Sequence, residues 1–109
     1  MAYRVSQVAT VKYGHFGDYV KTLKRLVARV EENGWAPMRV LVPTAGPNNE
    51  VVLQQWYDDL ATFQSENEAF YKDEAAFKAF RDGSKFIVEG SARTEIYEDV
   101  MLVGFPGSD

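Results

Sequence analysis

Glu50–Leu60, EVVLQQWYDDL, constrains this 109-residue chain more than any other stretch. Val51, Val52 and Leu53 form its strongest β-run, because branched and apolar side chains suit a pleated, half-buried surface. A turn cluster, Thr44–Ala45–Gly46–Pro47–Asn48–Asn49, precedes the run, and a helical pattern starts directly behind it. A strand with a hairpin on one side and a helix on the other belongs near the middle of a small sheet. Gln54 and Gln55 stand between the apolar run and Trp56–Tyr57. A buried amide left unpaired costs about 1–3 kcal/mol, so glutamines at such a place point to partners or to a site.

The other elements follow from periodicity. Tyr3–Lys12 alternates as a strand, with Val5, Gln7, Ala9 and Val11 on one face and Arg4, Ser6, Val8 and Thr10 on the other. Phe16, Tyr19, Val20, Leu23, Leu26, Val27 and Val30 recur at helical spacing, and Asp18 suits the positive end of that helix as a cap or first-turn acid. Asn33–Gly34 is the expected stop. Trp35–Pro43 reads as an edge strand bracketed by Pro37 and Pro43. From Leu60 to about Phe86 the pattern is helical, with a break near Lys72 and Asp73 capping a new segment. Val88–Tyr97 is the last expected strand.

The resulting order, β-α-β-β-α-β, is the ferredoxin-like α+β arrangement with a four-stranded antiparallel sheet. Right-handed crossovers put the first and third strands in the centre and both helical segments on one face. The other face would carry Val8, Leu41, Val52, Trp56 and Tyr97. A bare face that apolar is expected to be an interface, so a homodimer packed sheet to sheet follows, with Trp56 and Arg93 serving the contact. Residues 1–100 are expected to form one domain and residues 101–109 a C-terminal tail.

Composition narrows the function classes. A net charge of −4 argues against nucleic acid, which needs a cationic footprint. The basic residues Lys21, Lys24, Arg25 and Arg29 read as a solvated helix face. With no cysteine there is no disulfide, thiolate nucleophile or cysteine-ligated metal, which fits a reducing cytoplasmic setting. The N-terminal MAYRVSQVATV lacks a signal peptide's apolar core, and no run approaches the ~20 residues that span a bilayer, so no membrane partner is expected. A single histidine and no carboxylate cluster leave no metal site in view, and no cofactor motif occurs.

The segment TAGPNNEVVLQQWYDDLATFQSENEAFYKDEAAFKAFR resembles the NIPSNAP-like group of the dimeric α/β-barrel superfamily. Gly46, Pro47, Asn49, Glu50, Val51 and Val52 match the opening of that group's third strand, and Tyr57, Asp58 and Leu60 match the step into its next helix. The likeness extends over about residues 3–98. It implies a dimeric α/β barrel, in a superfamily that includes cofactor-free monooxygenases of antibiotic biosynthesis, haem-degrading enzymes, isomerases and polyketide cyclases. Leu53, Gln54 and Gln55 stand where NIPSNAP-like strands continue with His-Leu-Trp, and no histidine lies between Leu60 and Phe86, where haem-degrading relatives carry one. Haem is therefore not expected.

Candidate chemistry rests on few residues. His15, at the junction of strand and helix, is either a general base near neutral pH or a locally bonded loop residue. Gln7 and Gln55 fall on the helix-covered face of neighbouring strands, where they either bond each other or water, or line a pocket and orient a ligand's oxygens. Asn67 interrupts the Phe63–Phe70 stripe and either faces that space or bounds it. Tyr13, Trp35, Tyr57 and Tyr71 are candidate walls, and Glu66 is an exposed helical residue or an acid–base group. Two functions follow. One is a small-molecule-binding homodimer acting on an aromatic or polyketide-like compound as a cofactor-independent monooxygenase, isomerase or cyclase. The other is a non-catalytic NIPSNAP-like interaction module.

Overall fold

The computed structural model describes residues 2–100, and the expected tail, residues 101–109, lies outside them. The elements are β1 (Tyr3–Thr10), α1 (Phe16–Glu32), β2 (Arg39–Leu41), β3 (Glu50–Tyr57), α2 (Leu60–Lys72), α3 (Glu74–Ser84) and β4 (Arg93–Glu98). The sheet runs β2-β3-β1-β4 with every neighbouring pair antiparallel, as the ferredoxin-like order requires. Pairing of Val5 with Gln55, Gln7 with Leu53 and Val8 with Val52 fixes the two faces. Odd-numbered β1 residues meet the helices, and Arg4, Ser6 and Val8 share the open face with Trp56, Val52, Leu41 and Tyr97.

Two strands are shorter than their composition suggests. Segment 35–38 does not join the ladder of β2, because Glu66 and Gln55 hold both backbone polar groups of Ala36. Segment 88–92 is a bend. Val88 N–H donates to Thr10 O, Gly90 takes φ +79°, and Ser91 Oγ accepts from Thr10 N–H. Both groups of Thr10 are thus satisfied locally, and β4 starts only at Arg93.

The core lies between the sheet and α1–α3. Val11, Tyr19, Leu23, Leu26, Val30, Val51, Leu53, Ala76 and Ala79 are buried there, and each buried Val or Leu contributes about 1.5–3 kcal/mol. Asp73 separates α2 from α3, as expected. Its carboxylate accepts from Ala76 N–H at the start of α3, from the Arg29 guanidinium and from Asn33 Nδ2. Those donors, Arg29 above all, hold its carboxyl far below the usual carboxylate range. Arg25 reaches Asp82 at 3.0 Å. The basic stripe of α1 is therefore in part a set of clamps onto α3 and not merely a solvated face.

Candidate functional site

Between the helix-covered face of the sheet and α2 lies a cavity of about 310 Å³, within the range of about 300–1,000 Å³ that organic ligands occupy. β1 and β3 supply Gln7, Gln55 and Tyr57 to it, and the 35–38 segment supplies Trp35 and Met38. α2 contributes Phe63, Glu66, Asn67, Phe70 and Tyr71. Asp59 starts this helix by accepting from Thr62 N–H at 2.7 Å, which sets which side of α2 meets the sheet. No residue of α2 is buried, so the helix borders the cavity without plugging it.

One hydrogen-bonded chain organises the polar side. Tyr57 OH donates to Glu66 Oε1 at 2.9 Å, and Ala36 N–H donates to the same oxygen at 3.0 Å. Gln55 Nε2 donates to Ala36 O at 2.8 Å. Burial, and then the Glu66 carboxylate beside it, push the Tyr57 phenol well above tyrosine's usual range. Tyr57 therefore stays a proton donor at neutral pH, and one oxygen of Glu66 accepts from two donors. Tyr57 also meets Phe63 edge to face, centroids 5.4 Å apart, which ties the end of β3 to the first turns of α2.

Gln7, Gln55, Asn67, Trp35, Tyr57 and Tyr71 all line this space. No hydrogen bond joins the Gln7 and Gln55 amides among the described residues; the register offsets them by one pair, and Gln55 turns to Ala36 instead. Tyr13 and His15 lie elsewhere. Tyr13 is 91% exposed in the β1–α1 connection and is not among the residues lining this cavity. His15 stacks on Phe86 at 5.5 Å and its Nδ1 lies 3.1 Å from Asp18 Oδ2, the locally bonded arrangement, and it is not among the cavity residues. Gly14, between them, takes φ +85°. Glu66 was under-read: among the acidic residues of α2 it is the one at helical register with Phe63 and Phe70, and that spacing is the signal that could have placed it inward. Among the described residues no group of three or more His, Asp or Glu is placed to hold a metal ion.

No protein-family model matches the sequence, and neither does any curated protein. Solved structures do match. A NIPSNAP family protein from Agrobacterium tumefaciens superposes with a TM-score of 0.78 at 14% identity, over 92% of this chain and 94% of the other. An uncharacterised NIPSNAP domain protein from Burkholderia xenovorans gives 0.75 at 14% identity, over 97% and 99%. A candidate antibiotic biosynthesis monooxygenase from Nitrosomonas europaea gives 0.71 at 13% identity, over 91% and 90%. This chain therefore has the ferredoxin-like α+β fold of NIPSNAP and antibiotic-biosynthesis-monooxygenase structures, the fold that the Gly46–Leu60 resemblance implied.

Proposed function

We propose that the chain is a small-molecule-binding homodimer whose cavity takes an aromatic or polyketide-like compound bearing oxygen substituents. The polar set carries this reading: Gln7, Gln55, Asn67 and the Tyr57–Glu66 pair interrupt a mainly apolar wall that includes Trp35, Met38, Phe63, Phe70 and Leu26. Such a site recognises a flat apolar body by contact and its oxygens by amide and phenol hydrogen bonds. Cofactor-independent oxygenation, isomerisation and cyclisation all begin by removing a proton from a phenol or from a carbon beside a carbonyl. With His15 outside the cavity, Glu66 is the proton acceptor in this reading, with Tyr57 OH holding its carboxylate, and the Gln7 and Asn67 amides donate to the oxygen on which charge develops. The absence of cysteine supports a reducing, cytoplasmic setting.

The open sheet face supports the dimer. Leu41, Trp56 and Tyr97 are each more than 40% exposed there. Arg4, whose guanidinium lies 5.0 Å over the Trp56 ring, has its Nε buried with no partner among the described residues. A second copy would cover these exposed side chains. The rival, a non-catalytic interaction module, draws support from Glu66 already holding two protein donors on one oxygen.

A thermal-shift and calorimetric panel of planar phenols tests the reading. At least one compound should bind, Gln55→Ala should weaken it about tenfold, and Glu66→Gln should abolish turnover while binding persists. Binding without turnover of any panel compound supports the module. No binding at all removes the small-molecule reading. Sedimentation of Trp56→Glu should show monomer where the parent is dimer.

A further inference from the structure

A second cavity, of about 550 Å³, lies beside the first under α1 and α3, bordered by the bend at 88–92. The two share Gln7, Leu26, Phe80 and Thr94 in their walls. Phe80 is the informative member. It sits on α3 beside the fully buried Ala79, touches Phe70 edge to face at 5.6 Å, and is still 44% exposed. A large ring on a core-facing helix that remains this exposed borders empty space rather than core. The second cavity differs from the first in chemistry. Its interior is mainly aliphatic, with Leu23, Leu53, Ala79 and Ile87 beside Tyr19 and Thr22. Its rim holds Lys12, Glu89 and Arg93, and Arg93 is ion-paired with Glu95 at 3.4 Å, so cations and anions balance there and favour neither sign of an ionic chain end.

We infer that the two cavities work as one cleft, waisted at Gln7 and Phe80, and that its ligand is an elongated amphipathic molecule: an oxygen-bearing ring in the first cavity with an uncharged, unbranched alkyl chain in the second. The inference rests on the first cavity being the ligand site and adds the ligand's shape. Gln7 stands where ring and chain join, and Phe80 packs against the chain as it passes.

Calorimetry of the full chain with phenol and its 4-ethyl, 4-butyl and 4-hexyl derivatives tests it. Affinity should rise about fourfold per methylene, the gain expected for burying each CH₂. Ala92→Phe places bulk on an exposed residue that lines only the second cavity. It should remove most of the chain-length gain and leave phenol binding unchanged. Ser84→Phe, from the opposite wall, repeats the test should the first variant fold poorly. Phenol binding with no chain-length gain overturns this inference alone, as does a gain that survives both variants. Failure of phenol and every derivative to bind overturns the first-cavity reading, and this inference with it.

Discussion

α1 and α3 meet through small side chains, whereas α2 meets the sheet through long ones that leave a space. At the α1–α3 contact Ala76, Ala79 and Gly83 are buried, and the backbones come close. A Cβ on Gly83 would stand 2.6 Å from Thr22 Oγ1 and 3.2 Å from the Tyr19 ring. On α2 no residue is buried, and Phe63, Glu66, Asn67, Phe70 and Tyr71 ring the cavity. The contact between α1 and α3 is thus tight, whereas α2 stands off the sheet. Close approach of helices needs small complementary side chains, and large aromatics and amides hold α2 away from the strands.

Several substitutions would break or sharpen that contrast. Leu26→Ala, on the buried face of α1, should cost about 2–4 kcal/mol by denaturant unfolding, while Leu60→Ala at the start of α2 should cost under about 1 kcal/mol. Equal costs would remove the distinction. Gly83→Ala should destabilise by about 1–3 kcal/mol, since the clash with the buried Thr22 hydroxyl outweighs the ~1 kcal/mol that alanine gains over glycine in a helix. Adding Thr22→Ala should recover much of the loss, and failure to do so would place the strain elsewhere.

Beside the first cavity, Tyr57→Phe should cost about 0.5–1.5 kcal/mol by removing one donor from Glu66. The phenol's folded pKa is raised, so its contribution is present below the unfolded tyrosine value of about 10 and fades as pH climbs past it. The parent should therefore lose alkaline stability that Tyr57→Phe does not. The smallest effect is expected at Asp73. Its folded pKa is depressed, so its contribution is present above the unfolded value of about 3.9 and is lost as pH falls below it. Asp73→Asn should flatten the acid limb of a melting-temperature profile, and an unchanged limb would assign it to other carboxylates.

Much of this was legible from local pattern. The α1 stripe, the Asn33–Gly34 stop and the Asp73 break are set by residues near in sequence, and so is the β3 strand behind Gly46–Pro47. Alternation placed Gln7 and Gln55 on one face correctly, because a strand's period leaves no choice of side. The misreadings share one cause: each depended on a partner distant in the chain. Trp35–Pro37 alternates like a strand, but Gln55 and Glu66 hold the Ala36 backbone. Arg25 and Arg29 looked solvated until α3 brought Asp82 and Asp73 beside them.

The sequence by itself determined the order of elements, the faces of the strands and the β-α-β-β-α-β fold, since hydrophobic period and turn chemistry act over a few residues. Only the tertiary structure decided that Glu66 and Tyr57 form a pair, that the two glutamines line a cavity without bonding each other, and that a second cavity lies beside the first at Phe80. Those features depend on how far α2 and α3 stand from the sheet. That distance is set by side chains from four or five elements at once, and no local period encodes it.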